Sequence, residues 1–215
     1  MTRKPITILA AAVLCLAGLF GDAPTQAQAQ TVTCQAQASV LSAASTALAR
    51  VGPAQPIINL TTALAAPAQP TATRLEALSA RAAVRAQTFD FDGAIADITA
   101  AIDTAQTAQA SPFCLARLHK QRGDHIFLLY EWDRVLTDYD TAVTLAPTYA
   151  DAYFARGVLY YTQGPRTSAL TDFEQVVALT PTSPRAAEAQ AYIQSIRTEL
   201  EALGGDDTGA FGPSD

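Results

Sequence analysis

The segment Ala150–Ser183 reads ADAYFARGVLYYTQGPRTSALTDFEQVVALTPTS and contains two runs with the apolar periodicity of helices. A glycine–proline dipeptide at 164–165 separates the two runs, and Pro181 ends the second one. Because Gly157 and Ala169 are small, we expect them to face each other where two antiparallel helices approach closely. Three aromatic side chains then fill the space around that contact: Tyr153, Tyr160 and Phe173. The segment therefore predicts a tightly packed pair of helices.

The same pattern recurs earlier in the chain. Gly123 takes the place of Gly157 in this earlier copy, and the surrounding register is kept at His119, Arg122, Ile126, Val135, Tyr139, Ala142 and Pro147. A weaker copy spans residues 75–108 and retains small or apolar residues at Leu78, Ala82, Ala94, Ile98 and Ala101. Because Gln106 replaces its closing proline and residues 109–115 precede the next copy, we expect this copy to have an extended second helix.

This 34-residue helix–turn–helix spacing resembles the tetratricopeptide repeat. The resemblance implies an all-α, right-handed, antiparallel helical-repeat solenoid with three helix pairs, at residues 75–108, 116–149 and 150–183. Solenoids need terminal helices with a polar outer face. We assign these to an N-terminal cap or linker at 30–74, with helices expected over 34–50 and 57–66, and to a C-terminal helix at 184–205. Residues 206–215 are acidic and are expected to be disordered.

Three hydroxyl side chains are predicted to begin helices. Thr73 and Glu76 have the spacing of a capping box at the start of the first repeat. Ser111 and Ser183 each precede a proline, which suits a helix cap followed by a proline in the first turn.

The N-terminal segment, residues 1–29, is typical of a secretory signal peptide. Arg3 and Lys4 supply positive charge, residues 6–20 form a short apolar run, and Ala27-Gln28-Ala29 offers a cleavage site. An apolar run of this length falls short of the roughly 20 residues that span a bilayer, although an uncleaved anchor is the alternative. We therefore expect export to the periplasm, the cell surface or the medium.

Cleavage after Ala29 would leave two cysteines, Cys34 and Cys114. An even number of cysteines in an exported chain favours a disulfide. The predicted Cys34–Cys114 bond would join the N-terminal segment to the start of the middle repeat. Two small, buried, unpaired thiols are the alternative.

The charge and the motifs exclude several classes of function. With 20 acidic and 14 basic residues and no basic patch, the chain is not expected to bind nucleic acid or, after signal cleavage, to insert into a membrane. His119 and His125 do not have the spacing of metal ligands on one helix face, and we expect His119 to be a core residue. Asp90 and Asp92 fall at a turn, where aspartate commonly caps a helix. No phosphate loop, nucleophile elbow or paired-cysteine zinc site appears, so we expect no catalytic residue, no metal and no cofactor.

In the tetratricopeptide family the first helix of each repeat lines a concave groove that binds peptides or partner proteins. Carried over by position, this implies Glu76, Ser79 and Ala83 in the first repeat. The second and third repeats contribute eight predicted binding residues: Arg117, Lys120, Asp124, Phe127, Asp151, Phe154, Val158 and Tyr161. The aromatic members favour an extended or helical apolar segment. The alternative is that these rings pack on a neighbouring helix.

The family's best-known clamp for a peptide carboxylate combines basic and asparagine side chains. Arg117 and Lys120 alone do not rebuild it, because the chain's one asparagine, Asn59, lies outside the repeats. We therefore expect a non-catalytic adaptor or assembly scaffold that binds a protein or peptide segment outside the cytoplasm. A small-ligand binder that uses the aromatic groove, or an enzyme with an unrecognised site, are the alternatives.

Overall fold

The computed structural model describes residues 54–66 and 70–202. The predicted signal segment, the predicted helix at 34–50 and the acidic tail lie outside the described residues. Within the described ranges the chain forms eight helices and no strand: α1 Ala54–Ala65, α2 Thr71–Gln87, α3 Phe91–Thr107, α4 Pro112–Phe127, α5 Trp132–Leu145, α6 Ala150–Gln163, α7 Arg166–Leu179 and α8 Pro184–Ala202. The predicted all-helical repeat fold is confirmed.

The helices stack in chain order. The most extensive contacts join α2 to α3, α4 to α5 and α6 to α7, so these are the three helix pairs. The first helices of successive pairs also touch, because α4 contacts α6 and α6 contacts α8. Helix α8 therefore occupies the place that the first helix of a fourth pair would take.

Local sequence explains most of the helix boundaries. Ser111 caps α4 by accepting a hydrogen bond from the backbone N–H of Cys114 at 3.2 Å, and Ser183 accepts one from Ala186 at 3.0 Å. Asp90 caps α3 through Gly93 at 3.0 Å. The prediction at Thr73 was wrong: α2 already begins at Thr71, after Pro70. A proline can stand at this boundary because the first helical N–H groups need no partner within the helix.

Helix lengths follow the positions of the prolines. α5 ends at Leu145 and α7 ends at Leu179, each just before a proline in the following turn, and each helix has 14 residues. α3 has 17 residues and continues to Thr107. The expected extension of this helix is confirmed, since no proline interrupts it before the next pair begins.

A glycine on each of two first helices makes room for a ring on the second helix. A Cβ atom at Gly157 would lie 3.0 Å from Cε1 of Phe173, and one at Gly123 would lie 2.6 Å from Cε1 of Tyr139. The side chain nearest to Gly157 is therefore Phe173, whereas we expected Ala169. The reason is size, because the ring spans the gap between the helices and reaches the glycine.

The first pair solves the same packing problem with different residues. Ala82 and Ile98, which stand at the corresponding positions, are both fully buried in one apolar cluster. A larger residue on the first helix is thus matched by a smaller one on the second.

A buried arginine–aspartate pair joins the two helices of every repeat. In each pair the aspartate lies 16 residues after the arginine, and the arginine uses Nε and Nη2 to donate to both carboxylate oxygens at 2.6–2.9 Å. The pairs are Arg81–Asp97, Arg122–Asp138 and Arg156–Asp172. Each aspartate is 2–3% exposed, so its charge depends on this bidentate contact.

The same three arginines also reach the preceding helix. Nη1 of Arg156 lies 2.8 Å from Asp140 on α5, and Nη1 of Arg122 lies 3.4 Å from Thr99 on α3. In the first pair, Nη1 of Arg81 donates to Thr61 of α1 at 3.0 Å. Helix α1 therefore stands where the second helix of a preceding pair would stand. One guanidinium thus links three consecutive helices.

Burial and neighbouring charged groups shift the pKa values of two of these aspartates. Burial raises the pKa of Asp138, but hydrogen bonds from Arg122 and His119 outweigh it, so the pKa lies below its ordinary value. His119 contributes through Nδ1 at 2.9 Å, and its side chain is partly buried at the edge of the core, where it serves a structural contact. At Asp172 burial raises the pKa and outweighs the opposing hydrogen bond and charge of Arg156, and the negative charge of Asp140 adds to the increase.

We predict that Asp138→Asn destabilises the fold by about 2–4 kcal/mol, because it leaves Arg122 without its charged partner. Asp133→Asn is the matched control, since it makes the same change at an exposed position of the same helix and should cost less than about 1 kcal/mol. Urea unfolding followed by circular dichroism measures both variants. Equal losses for the two variants would contradict the role assigned to the buried pair.

His125 occupies a position that is apolar in the other pairs. The corresponding residues are Val84 and Leu159, which are 2% and 0% exposed. Within the described part of the chain, the Nε2 atom of His125 is buried and has no hydrogen-bond partner. Burial lowers the pKa of the imidazole, Asp124 opposes this effect and Lys120 adds to it.

We predict that acidification weakens the middle repeat through His125. Because the folded-state pKa lies below the unfolded value of about 6.5, the unfolded chain binds the proton first and stability falls as the pH drops through that value. His125→Leu should therefore reduce the loss of unfolding free energy between pH 7.5 and 5.5. Chemical denaturation at both pH values measures this loss, and an unchanged loss in the variant would refute the assignment.

Candidate binding groove between the first helices

A groove of about 320 Å³ opens between α4, α6 and the start of α8. Six of the eight predicted binding residues line it, together with three that were not predicted. The complete lining is Lys120, Asp124, Phe127, Tyr139, Asp151, Phe154, Ala155, Val158 and Arg185. The structure thus brings most of the predicted set into one site.

The helical register explains this convergence. Lys120, Asp124 and Phe127 are spaced four and three residues apart, so they share one face of α4. Phe154 and Val158 stand one full repeat after Lys120 and Asp124 and present the matching face of α6. Two equivalent helices that lie side by side therefore place equivalent positions opposite each other.

The polar side of the groove is internally paired. Nζ of Lys120 lies 2.8 Å from a carboxylate oxygen of Asp124, and the hydroxyl of Tyr139 donates to the other oxygen at 3.0 Å. Burial lowers the pKa of Lys120, but the charge and hydrogen bond of Asp124 outweigh it and leave the pKa above its ordinary value. Burial, followed by the charge of Asp124, raises the pKa of Tyr139. Lys120 therefore stays charged, and the ion pair satisfies both side chains within the protein.

Arg185 closes one end of the groove. Its guanidinium carbon lies 4.4 Å from the ring centroid of Phe154, and its Nε lies 3.3 Å from Asp151. Arg185 holds the repeat position in α8 that Asp151 holds in α6, and this equivalence is the signal that could have revealed it. It was missed because the C-terminal helix was treated as a cap and not as a further first helix.

The aromatic rings are more deeply packed than an open stripe would be. The ring of Phe154 makes edge contacts with Phe173 and Tyr192 at 5.5 and 6.0 Å. Tyr161 packs against Tyr192 at 5.2 Å, and its hydroxyl donates to Glu199 at 3.0 Å. The alternative that these rings pack on a neighbouring helix therefore holds for Tyr161 and in part for Phe154, because α8 covers them.

Several other predicted residues lie away from the groove. Arg117 and Tyr161 do not belong to its lining. Ser79 is fully buried, so it cannot line a groove in the first repeat as expected. Asn59 lies on α1, where it accepts a hydrogen bond from Gln55 at 2.9 Å.

Cys114 is fully buried at the start of α4 and is disulfide-bonded. Its partner lies outside the described residues, so the Cys34–Cys114 pairing stays a prediction. Over residues 54–66 and 70–202, no cluster of three or more acids, histidines or cysteines is arranged to hold a metal ion. Across the same residues, no helix has the length and apolar character needed to cross a membrane.

Comparison with known proteins links this geometry to a family. Residues 131–164 match the family model of the TPR repeat. The match covers α5 and α6, so it joins the second helix of one pair to the first helix of the next. Serine/threonine-protein phosphatase T of Trypanosoma brucei brucei is 32% identical over 68 residues, which make up 32% of this chain and 14% of the phosphatase. The chain thus spans a small part of that relative's length.

Solved structures share the fold. A tetratricopeptide repeat protein from Parabacteroides merdae has a TM-score of 0.59 at 18% identity, covering 76% of this chain and 60% of its own. The first TPR of Spaghetti (RPAP3), bound to the HSP90 peptide SRMEEVD, has a TM-score of 0.50 at 23% identity, covering 60% of this chain and 94% of its own. The chain therefore contains a tetratricopeptide repeat and has the all-helical repeat fold of tetratricopeptide repeat proteins.

Proposed function

We propose that this protein is a non-catalytic adaptor that binds an apolar peptide segment of a partner protein in the groove between α4 and α6. The observation that carries the proposal is the convergence of Phe127, Phe154 and Val158 on one groove whose charged groups are paired with each other. The first TPR of Spaghetti, which shares the fold, is bound to an HSP90 peptide, and this supports peptide binding as the mode of use.

The groove favours apolar recognition over recognition of a carboxylate. Lys120 is engaged by Asp124, and Arg185 is engaged by Asp151 and by Glu188 at 2.8 Å. A carboxylate would have to compete with these internal acids for each cation. An apolar side chain instead gains contact with the rings of Phe127 and Phe154 without breaking an ion pair.

The open shape of the groove favours a peptide over a small ligand. Small-molecule sites usually enclose about 300–1,000 Å³ and bury most of the ligand. A volume of about 320 Å³ is at the lower end of this range, and the groove is open along the helices. This shape accommodates one or two anchoring side chains of a longer segment.

The test begins with a display library of random dodecamer peptides, from which the full chain is used to select peptides that bind it. We expect the selected peptides to be rich in apolar residues. Ala155→Glu should weaken the binding of these peptides at least tenfold, because it places a carboxylate in the apolar part of the groove. A tenfold change in affinity corresponds to about 1.4 kcal/mol. Fluorescence polarisation measures the affinity. Asp151→Lys, at the exposed rim, provides a second variant if Ala155→Glu folds poorly.

Thr171→Glu is the matched control, since it adds the same charge at an exposed position of α7 outside the groove. Full affinity in Ala155→Glu and Asp151→Lys, with thermal unfolding showing that both are folded, would place peptide binding elsewhere. If Thr171→Glu lowered the peptide affinity as much as Ala155→Glu, the change in net charge would account for the effect.

We further propose that the adaptor acts outside the cytoplasm after cleavage near Ala29, on the evidence of the charged start, the apolar run and the small residues at 27 and 29. Intact mass spectrometry of protein recovered from outside the cytoplasm should show the loss of residues 1–29. Thiol titration of the unfolded, unreduced protein should find no free cysteine if Cys34 pairs with Cys114. Recovery of a chain that still begins at Met1 would contradict cleavage.

A further inference from the structure

The turn inside each helix pair contains one residue with a positive φ angle. These residues are Phe89 (62°), Tyr130 (62°) and Gly164 (116°), and they occupy the same position of successive pairs. The left-handed region disfavours a side chain with a Cβ atom, so glycine is the residue that fits best. The third turn follows this rule, whereas the first two turns place a bulky aromatic residue there.

Burial does not explain these two aromatic residues. Phe89 is 82% exposed and Tyr130 is 74% exposed. Each ring makes an edge contact with the aromatic residue two positions later, at 6.2 Å between Phe89 and Phe91 and at 5.4 Å between Tyr130 and Trp132. Burial therefore contributes little that would offset the disfavoured backbone angle at these two positions.

The two aromatic pairs lie on neighbouring turns of the same side of the repeat stack. Each pair bridges the end of a first helix and the start of a second helix. Ile95, near the start of α3, and Trp132 pack against the same apolar cluster. Leu128, 49% exposed, lies beside the second pair in sequence and extends the apolar surface. We call the surface formed by residues 89–92 and 128–133 the turn surface.

Acidic residues alternate with these rings. The two turns read FDFD at 89–92 and YEWD at 130–133. Asp90 caps α3 and lies 3.5 Å from Arg85, and Glu131 is paired with Arg134. Asp92 and Asp133 are exposed, and no ion pair within the described residues involves them. The turn surface therefore combines exposed ring faces with carboxylates that are free to bind a cation.

We propose that the turn surface docks a lysine- and arginine-rich segment of a partner protein. A guanidinium or ammonium group is attracted to the face of an aromatic ring, and a nearby carboxylate strengthens that attraction. Exposed aromatic residues also suit membrane interfaces, but the exposed carboxylates of Asp92 and Asp133 beside the rings repel an anionic lipid surface. The third turn, Gly164-Pro165-Arg166, has neither a ring nor an acid, so the site spans the first two pairs.

Trp132 is the only tryptophan of the chain and belongs to the turn surface, so its fluorescence should change when a ligand binds there. The probe is a dodecamer peptide that alternates arginine and serine, and the same peptide with glutamate in place of arginine is its control. We expect the arginine peptide alone to change the Trp132 emission in a saturable way. Raising the salt concentration should weaken the effect, because exposed charges are screened.

Phe89→Gly combined with Tyr130→Gly separates binding from folding. The double variant should bind the arginine peptide at least tenfold more weakly, while its Tm stays equal or rises by a few degrees because glycine suits the positive φ. Asp92→Asn with Asp133→Asn should also weaken binding. Phe113→Ala is the matched control, because Phe113 is 47% exposed outside this surface and its loss should leave binding unchanged.

Four results would overturn the proposal. The first is no change in Trp132 emission with the arginine peptide, and the second is that the double glycine variant binds this peptide as tightly as the wild-type protein. The third is a large fall in the Tm of the double glycine variant. The fourth is binding to vesicles without binding to the peptide. The third would show that the rings serve the fold. The fourth, measured with phosphatidylserine-containing vesicles and lost in the double glycine variant, would assign the surface to a membrane. Because the ring of Trp132 lies 5.2 Å from that of Phe127 in the groove between α4 and α6, the loss of the response in the double glycine variant, and not the response alone, assigns binding to the turn surface.

Discussion

The structure depends on one buried ion pair that is repeated in each helix pair. An aspartate that is nearly excluded from water stays charged only if a cation accompanies it, and a bidentate guanidinium meets this need in one relative orientation of the two helices. The pairing therefore fixes how the two helices lie against each other, while the apolar contacts supply most of the free energy. Because the third donor of each arginine reaches the preceding helix, the same contact also sets the position of one pair on the next. Gln190 stands where α8 would carry the next arginine, and within residues 54–66 and 70–202 no helix follows α8.

The groove is a consequence of that stacking. First helices of successive repeats present the same face, so Lys120 and Asp124 of α4 lie opposite Phe154 and Val158 of α6. Charges at this site are satisfied within the protein, since Asp124 holds Lys120 and Asp151 holds Arg185. What remains available to a partner is mainly aromatic and aliphatic surface. In the function that we propose, the fit of apolar side chains selects the partner, and the surrounding charges influence its orientation more than its affinity.

The turns carry a different kind of information. Gly164 shows that the fold accepts glycine at this position, whereas Phe89 and Tyr130 keep exposed rings at the same position despite a disfavoured backbone angle. A residue that does not contribute to folding can be retained for recognition. The groove is built from the first helices, and the turn surface is built from the ends of the pairs. The two proposed sites would hold an apolar segment and a basic segment through separate residues.

The sequence by itself determined the helices, their pairing and most of the residues on each face. Periodicity, prolines and the repeat spacing are local or repeated signals, and the backbone responds to them directly, as at Ser111 and in the extended α3. The arginine–aspartate pairs also recur at equivalent positions of each repeat, so the repeat spacing in the sequence could have identified them. The tertiary structure alone decided which rings stay accessible. Tyr161 does not line the groove as predicted, because α8 packs over it. Arg185 lines the groove although it was not predicted, because α8 continues the row of first helices. Periodicity within one helix specifies a face, but it does not specify which neighbour covers that face, because burial is a property of the assembled helices.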